Sequence, residues 1–514
     1  MPIVFQPSSR EVVKIDSRTN VASTPAPDRT QVLIRLAMVC CLYSIPVLAT
    51  VHGNADYDIW WHLRVGQWVS QHHSVPTTDP CSSFGQDKAW AAYSWLFEVL
   101  VYGCYQLFGL LGIVFFRLLL CVGVTAVLHC FIVKREPRFL LATALTAAAG
   151  LGVAMLFKER PWLFTILFSV LTLDVILDLR AGKPTRLCWL LPVLFVLWAN
   201  VHIQFVYGLI LLFLACAAPL LDHLLRRGEP GSTAARALTP AWWQLVALAG
   251  ACFVATFLNP YGIGLYRVVL EYASQPGPFR YLNELRALEF REPSDWVMLL
   301  LAAGACFALG RRQPLPLFDL LLLAFSGWLA FRSRRDMWLL ILSSLYLLTT
   351  LPRKPATFAD VFRFTPARVG LVAGGVLGLA LATLLLRNLS NDTMKEQTAK
   401  TFPVKAAQFV ADKGYAGPLY NDFNWGGYLI WALPELPVAI DGRTNLHGDQ
   451  RIEHFGDVWA GLPDAADDEE FLNAGVVIAP VNSPRVALLL RDPHFKEVFE
   501  EVYKDDLARV FVRR

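Results

Sequence analysis

Charge is what this sequence has least of. Asp, Glu, Lys and Arg make up 17% of its 514 residues, against 55% hydrophobic residues. Soluble domains carry about 25% charged residues, so a soluble enzyme is excluded. The net charge is only +4 and is spread thinly. No basic stripe is present to meet a phosphate backbone, which excludes nucleic acid as a partner. Cysteine gives no framework either. Nine of the ten lie in apolar runs, only Cys81 lies in a polar loop, and no spacing resembles a disulfide set or a zinc site. No internal repeat or low-complexity segment appears. The lack of two matching halves counts against a transporter built from inverted repeats. A cleavable signal peptide is not expected either. Residues 1–30 are polar, with Arg10, Lys14, Arg18 and Arg29. The first apolar run has no small-residue cleavage pattern after it, so a retained first helix is expected.

What the sequence does have is a series of apolar runs near 20 residues, the length that crosses roughly 30 Å of hydrocarbon. Spans are expected over 32–51, 110–133, 138–157, 161–179, 186–201, 203–222, 239–258, 295–310, 314–331, 335–351 and 367–388. Basic positions fix their direction. The N-terminus, Lys134-Arg135, the Arg180–Arg186 segment, Arg226-Arg227, Arg311-Arg312 and Arg353-Lys354 fall on one side. The positive-inside rule makes that side the cytoplasm. Eleven crossings then put the C-terminus outside. Residues 96–109 are apolar, but counting them as a span would invert every later loop. They read as a helix in the outer interface carrying Trp95 and Glu98, with Gly109 and Gly112 at the turn into the next span.

The fold class is therefore an all-α polytopic membrane domain with a small C-terminal extracytoplasmic α/β domain. Its parts are a cytoplasmic tail over 1–30, the membrane domain over 31–388 with a large first outer loop over 52–109, and the polar domain over 389–514. That last region has enough residues for its own core. It alternates strand-like runs (Val438–Ile440, Val476–Pro480, Val510–Val512) with helical ones (Val404–Lys413, Arg485–Leu490).

The richest polar chemistry stands at the end of the first span, in Asp56-Tyr57-Asp58-Ile59-Trp60-Trp61-His62-Leu63-Arg64. Ionisable groups at a membrane rim are costly and mark a functional site by default. Residues i and i+2 share a side only in an extended segment, so Asp56 and Asp58 share a site if the chain is extended there. With a helix starting near Asp58, that residue and His62 become neighbours. Partial desolvation raises a carboxylate's pKa and makes it a better base. The structural alternative is an N-cap followed by belt anchors at Trp60, Trp61 and Trp68.

Other candidates collect on the same expected face. Lys158, Arg160, Arg332, Arg334 and Arg335 suit phosphate, and outer arginines are exceptions to the positive-inside rule. Lipid headgroups or the C-terminal domain are their alternative partners. Arg117 lies two turns into a span, where it binds substrate or snorkels to the surface. Asn200 and His202 stand at a span junction, where helix capping explains them almost as well. In the C-terminal domain, Asp441-Gly442-Arg443 follows a short strand. It is a turn former that could also face the membrane domain.

Together these motifs carry a resemblance. Asp-x-Asp-x-Trp-Trp-His-Leu-Arg-x-Gly, Arg160-Pro161-Trp162, Trp198-Ala199-Asn200-Val201-His202, Asn259-Pro260-Tyr261-Gly262 and Asp441-Gly442-Arg443 occur in an order that resembles the GT-C superfamily of membrane glycosyltransferases. Bacterial protein-mannosyltransferase and lipopolysaccharide-type enzymes are the relatives meant. The resemblance implies a bacterial inner or plasma membrane enzyme that takes a sugar from a polyprenyl-phosphate carrier. The acceptor is a protein, lipid or glycan. A first-loop acid, here Asp58 with Asp56 as companion, acts as base or helps to hold a metal. Basic residues hold the departing phosphate, and the anomeric centre inverts. The chain departs from the family's frequent Asp-Glu pair with a following Tyr. Mg²⁺ or Mn²⁺ would suit the carboxylate pair, and metal-free base catalysis suits it equally. Two other readings stay open: a polyprenyl-phosphate binding or transport protein without chemistry, and a binding module on a membrane anchor.

Overall fold

The computed structural model describes residues 29–53, 56–183, 186–225, 240–275, 277, 284–352, 360–463 and 468–514. Arg10, Lys14, Arg18, Arg226, Arg227, Arg353 and Lys354, used above for orientation, lie outside the described residues.

From α1 (Arg29–Thr50) the chain passes through α2 (Ile59–His72) and α3 (Trp95–Phe108) into α4 (Leu110–Arg135), α5 (Phe139–Val153) and α6 (Trp162–Arg180). It continues through α7 (Leu191–Val201), α8 (Phe205–Leu225), α9 (Pro240–Ala255) and α10 (Gly264–Ser274). The bundle is completed by α11 (Pro293–Gly310), α12 (Leu317–Arg332), α13 (Met337–Thr349) and α14 (Pro366–Leu386). Each of the eleven expected spans is a helix. Seven, namely α1, α4, α5 with its short 3₁₀ end, α6, α8, α11 and α14, are long and apolar enough to cross a membrane. The protein is a multi-pass membrane protein.

Position in the bundle follows from side-chain character. Helix α13 is buried almost throughout, packed by α4, α5, α11 and α12. Helix α14 packs chiefly on α1 and leaves Val369, Leu371, Leu377, Leu381 and Leu385 exposed, a face suited to lipid. Helix α3 has 14 residues, about 21 Å of rise, too short to span. It ends at Gly109, whose φ of 65° turns the chain directly into α4 and falls in a region that glycine enters without a Cβ penalty.

The C-terminal domain holds α15 (Asn391–Thr401), α16 (Val404–Lys413), β1 (Leu419–Asn421), α17 (Phe423–Ala432), α18 (Asp449–Ala460), β2 (Val476–Pro480), β3 (Phe499–Lys504) and β4 (Ala508–Arg513), besides shorter helical turns. The sheet order is β1-β2-β4-β3. β1 and β2 are parallel, with Tyr420 opposite Val477. β2 and β4 are antiparallel, with Ile478 opposite Val510. Val438–Ile440 is not a ladder strand: Val438 makes single parallel bridges to Leu419 and Ser82. It is wedged between β1 and the first loop, bonding to Cys81 and Ser83 on one side and Leu419 on the other.

The domain has a core of its own around Tyr420, Phe455, Phe471 and Phe511. A second, continuous core runs from the bundle into it. Trp60 packs edge-on against Phe402 and Tyr428, with ring centroids 5.8 and 5.2 Å apart. Trp60 and Trp61 are 3% and 4% exposed, so they fasten α2 to the C-terminal domain. The expectation of belt anchors fails for these two, because that domain covers them.

Candidate active site

The site is assembled from three short connections at one end of the bundle and one loop of the C-terminal domain. Asp56 and Asp58 follow α1. Lys158, Glu159 and Arg160 join α5 to α6. Residues 333–336 join α12 to α13. Asp441-Gly442-Arg443 comes down from the C-terminal domain.

Arg160 is the hinge of the arrangement. One guanidinium nitrogen stands 2.5 Å from Asp56 Oδ1, and another donates to Asp58 Oδ2. Lys158 Nζ lies 3.8 Å from Asp56 Oδ2. The two carboxylates meet without an extended segment. Asp56 Oδ1 instead accepts the Asp58 backbone N–H at 3.0 Å, an Asx-type turn that places both acids before α2. Asp58 is the N-cap residue of α2 but makes no side-chain cap bond. Its carboxylate is committed to Arg160.

The two acids differ in their electrostatics. Burial opposes ionisation of Asp56, but Arg160 and Lys158 outweigh it and hold the carboxyl below its ordinary range. Burial pushes Asp58 up to about 6, against the pull of Arg160 and with the help of the Asp56 charge. The Asp58 side chain still keeps 19% of its surface open. A reachable carboxylate with a raised pKa has the profile of a general base.

Behind the pair lies a buried scaffold. Glu159 Oε1 accepts the Asp56 N–H at 2.8 Å, and Glu159 Oε2 takes Arg117 at 2.8 Å. Arg117 also donates to the carbonyls of Thr50 and His52 at 2.5 and 2.7 Å. At 2% exposure it does not snorkel. It ties the end of α1 to the loop before α6.

Above the pair, the C-terminal domain supplies a roof. A Cβ at Gly442 would lie 2.1 Å from Asp58 Oδ1. That backbone is held by a buried network. Arg443 reaches Asp79 Oδ1 at 2.5 Å and Asp441 Oδ2 at 2.7 Å, and His447 Nε2 stands 3.1 Å from Asp441 Oδ2. Burial opposes the Asp441 charge, yet Arg443 and His447 hold its carboxyl far below the usual carboxylate range. Asp441 and Arg443 are thus structural ties, and the glycine between them is what meets Asp58. Gly442→Ala is expected to slow turnover by about 10²-fold, the cost of displacing a reacting group by about 1 Å. Kinetics beside thermal unfolding would show lost rate with Tm nearly kept.

The other candidates divide. Trp162 carries the Arg160 guanidinium at 5.4 Å and that of Arg335 at 5.7 Å from its ring centre, so Arg335 joins the cluster. Arg335 also lies 3.9 Å from Glu284. Arg334 turns to the buried Asp295 at 3.4 Å. Arg332 is exposed and lies against Trp328. His62 does not pair with Asp58. Its Nδ1 stands 3.2 Å from Glu98 Oε1 in the interior between α2 and α3. His202 Nδ1 is 2.7 Å from Thr165 Oγ1. Asn200 accepts from Trp95 Nε1 at 2.9 Å and donates to the carbonyls of Val196 and Leu258, which locks α3, α7 and the loop after α9. Among the described residues, no group of three or more His, Cys, Asp or Glu side chains is arranged for a metal ion.

Sequence reasoning missed Glu159, Asp79, Tyr93, Tyr272 and Glu284. Tyr93 and Tyr272 share a 2.9 Å hydroxyl contact, and Tyr272 donates to Asn445 at 3.1 Å. This chain of bonds runs from the first loop through α10 to the C-terminal domain. Tyr261, in a motif noted above, accepts from the Ala92 N–H and donates to the Pro76 carbonyl, both at 2.9 Å, which pins the first loop.

Comparison with known proteins places this architecture. No protein-family model matches the sequence, and no curated protein matches it. Solved structures do. The oligosaccharyltransferase AglB from Archaeoglobus fulgidus, in complex with an inhibitory peptide and a dolichol-phosphate, aligns with a TM-score of 0.52 at 11% identity, over 92% of this chain and 73% of that one. The Archaeoglobus fulgidus oligosaccharyltransferase tethered with an acceptor peptide aligns at 0.53 and 11% identity, over 94% and 74%. The arabinofuranosyltransferase AftD from Mycobacteria aligns at 0.52 and 13% identity, over 95% of this chain but 42% of its own length. This chain has the fold of the GT-C membrane glycosyltransferases.

Proposed function

We propose that this protein is a glycosyltransferase that moves a sugar from a polyprenyl-phosphate carrier to an acceptor hydroxyl or amide at the outer face of the membrane. The observation that carries the reading is the Asp56–Arg160–Asp58 cluster under the Gly442 roof, with Asp58 raised in pKa and partly open. The fold adds support, as does the dolichol-phosphate in the archaeal structure.

Asp58 is the base. As the acceptor attacks the anomeric carbon, Asp58 takes its proton. The bond from that carbon to the phosphate oxygen breaks, and the phosphate leaves with the electron pair. Arg335 and Lys158 meet that phosphate, while Arg160 stays committed to the carboxylates. A single displacement inverts the anomeric centre. The acceptor comes to Asp58 beneath the Gly442 backbone, which lies so close over Oδ1 that no Cβ fits between them. The donor's isoprenoid chain lies along the apolar bundle.

NMR of the transferred sugar is expected to show an anomeric configuration opposite to that of the donor. A product with retained configuration overturns the single displacement. The pH dependence has a definite sign. Asp58 must be ionised to accept a proton, so kcat/KM is expected to rise about tenfold per pH unit below about 6 and to level off above it. An acid limb near pH 4 would remove Asp58 as the titrating base.

A further inference from the structure

The carboxylate pair raises the question of which cation it serves. We propose that the Arg160 guanidinium fills the place that a divalent metal would take between Asp56 and Asp58, and that the site works with this built-in cation. The inference rests on the transferase reading for its activity arm only.

The donor set decides against a metal. Magnesium demands near-octahedral oxygen ligation at about 2.0–2.1 Å. Asp56 Oδ1 is already shared between Arg160 and the Asp58 N–H. Asp58 Oδ2 is taken by Arg160. Asp56 Oδ2 faces Lys158. Glu159, the nearest third carboxylate in sequence, has one oxygen on the Asp56 N–H and the other on Arg117. Asp58 Oδ1 alone remains, under Gly442. The charges also balance: Asp56, Asp58 and Glu284 stand against Arg160, Lys158 and Arg335, so a dication here would meet a guanidinium at contact distance.

A guanidinium suits this post. It stays charged at any working pH, and its planar fork bridges two oxygens that a compact ammonium cannot bridge. It fixes Asp56 and one oxygen of Asp58, and leaves the other oxygen for the acceptor's proton. Arg160 is on this view a positioning residue that acts through both acids.

The test titrates Mn²⁺ into the full-length protein in lipid nanodiscs and follows free Mn²⁺ by electron paramagnetic resonance. Wild type and Asp58→Asn are expected to give the same curve, with no site that depends on the pair. Arg160→Met unmasks the two carboxylates and is expected to gain about one Mn²⁺. A wild-type site that Asp58→Asn removes overturns the proposal, and so does a folded Arg160→Met that gains none. Should Arg160→Met not fold, the comparison of wild type with Asp58→Asn still decides. In a parallel arm, EDTA is expected to leave donor turnover unchanged. Turnover that EDTA stops and Mg²⁺ restores overturns the proposal. A protein that turns over no donor under any condition counts against the transferase reading, and the resonance result stands apart from it.

Discussion

Asp58→Asn is expected to lower sugar transfer by about 10²–10⁴-fold, the usual worth of a general base, in a protein that still folds. The amide has the carboxylate's shape but cannot take a proton at neutral pH. Folding should survive because the neighbourhood is held by other bonds. Arg160 keeps Asp56 at 2.5 Å, Glu159 keeps the Asp56 N–H, and α2 keeps its packing through Ile59, Trp60 and Trp61. Replacing a carboxylate that desolvation strains toward protonation also relieves part of its desolvation cost. Single-turnover transfer beside thermal unfolding separates the two effects. A folded variant with unchanged turnover would remove Asp58 from the base role. Asp56→Asn should behave differently. Asp56 is held charged by Arg160 and Lys158, so its loss frees Arg160 and shifts Asp58. The expected signature is a moved acid limb in the pH profile together with a lower plateau.

Arg443→Met is expected to cause the largest loss of stability, about 3–5 kcal/mol, the range for removing one partner of a buried ion pair. Arg443 serves Asp79 of the first loop and Asp441 of the C-terminal domain at once, and all three are buried. Without the guanidinium, two buried carboxylates 362 positions apart in sequence lose the cation between them; Asp79 keeps only the neutral donors of Cys81 and Ser82, and Asp441 keeps His447. The loop that carries Gly442 then loses its tether above Asp58, so transfer should fall with stability. Thermal unfolding and hydrogen exchange over residues 76–92 and 436–448 would read the effect, with earlier opening of both segments. Lys395→Met, which breaks an exposed pair with Asp392, should leave the unfolding temperature unchanged, since such surface pairs contribute little. An Arg443→Met protein as stable as wild type would show that the network does not hold the two domains together.

Much of the bundle was legible in the sequence because a membrane imposes one strong rule. Apolar runs of span length must be helices there, and each of the eleven runs is one. In the C-terminal domain, Val404–Lys413 and Val476–Pro480 stand at their expected bounds. The first has an amphipathic period, and the second is an unbroken apolar strand buried along most of its length. β3 was illegible. Glu500, Glu501 and Lys504 are exposed on an edge strand that pairs only with β4 through an irregular register, so it lacks the alternation that marks a strand. Val438–Ile440 failed the other way, since a short run with two β-branched residues does not reveal how little partner surface it meets.

The site divides on similar lines. Asp56, Asp58 and Arg160 stood out because charge beside an apolar run is costly. Their common contact could not be read, because 102 positions separate Asp58 from Arg160. Glu159 gave no signal of its own, sitting between Lys158 and Arg160 in what reads as a basic turn. Asp79 looks like any polar loop residue until Arg443 meets it. Gly442 reads as a turn former, and its role depends on a C-terminal domain folded back over α2. Arg117 was noticed for its cost in a span and Asn200 for its place at a span junction, and the structure uses both as ties between helices.

The most direct test of the account is donor turnover. Wild-type protein and Asp58→Asn in lipid would be incubated with a panel of radiolabelled polyprenyl-phosphate sugars and candidate acceptors, with binding of the lipid carrier measured in parallel. The account predicts that sugar leaves one donor with the wild type only, while both proteins bind the carrier. Saturable carrier binding with no sugar leaving any donor, across the acceptors supplied, would contradict it and make the protein a binder of lipid-linked sugars.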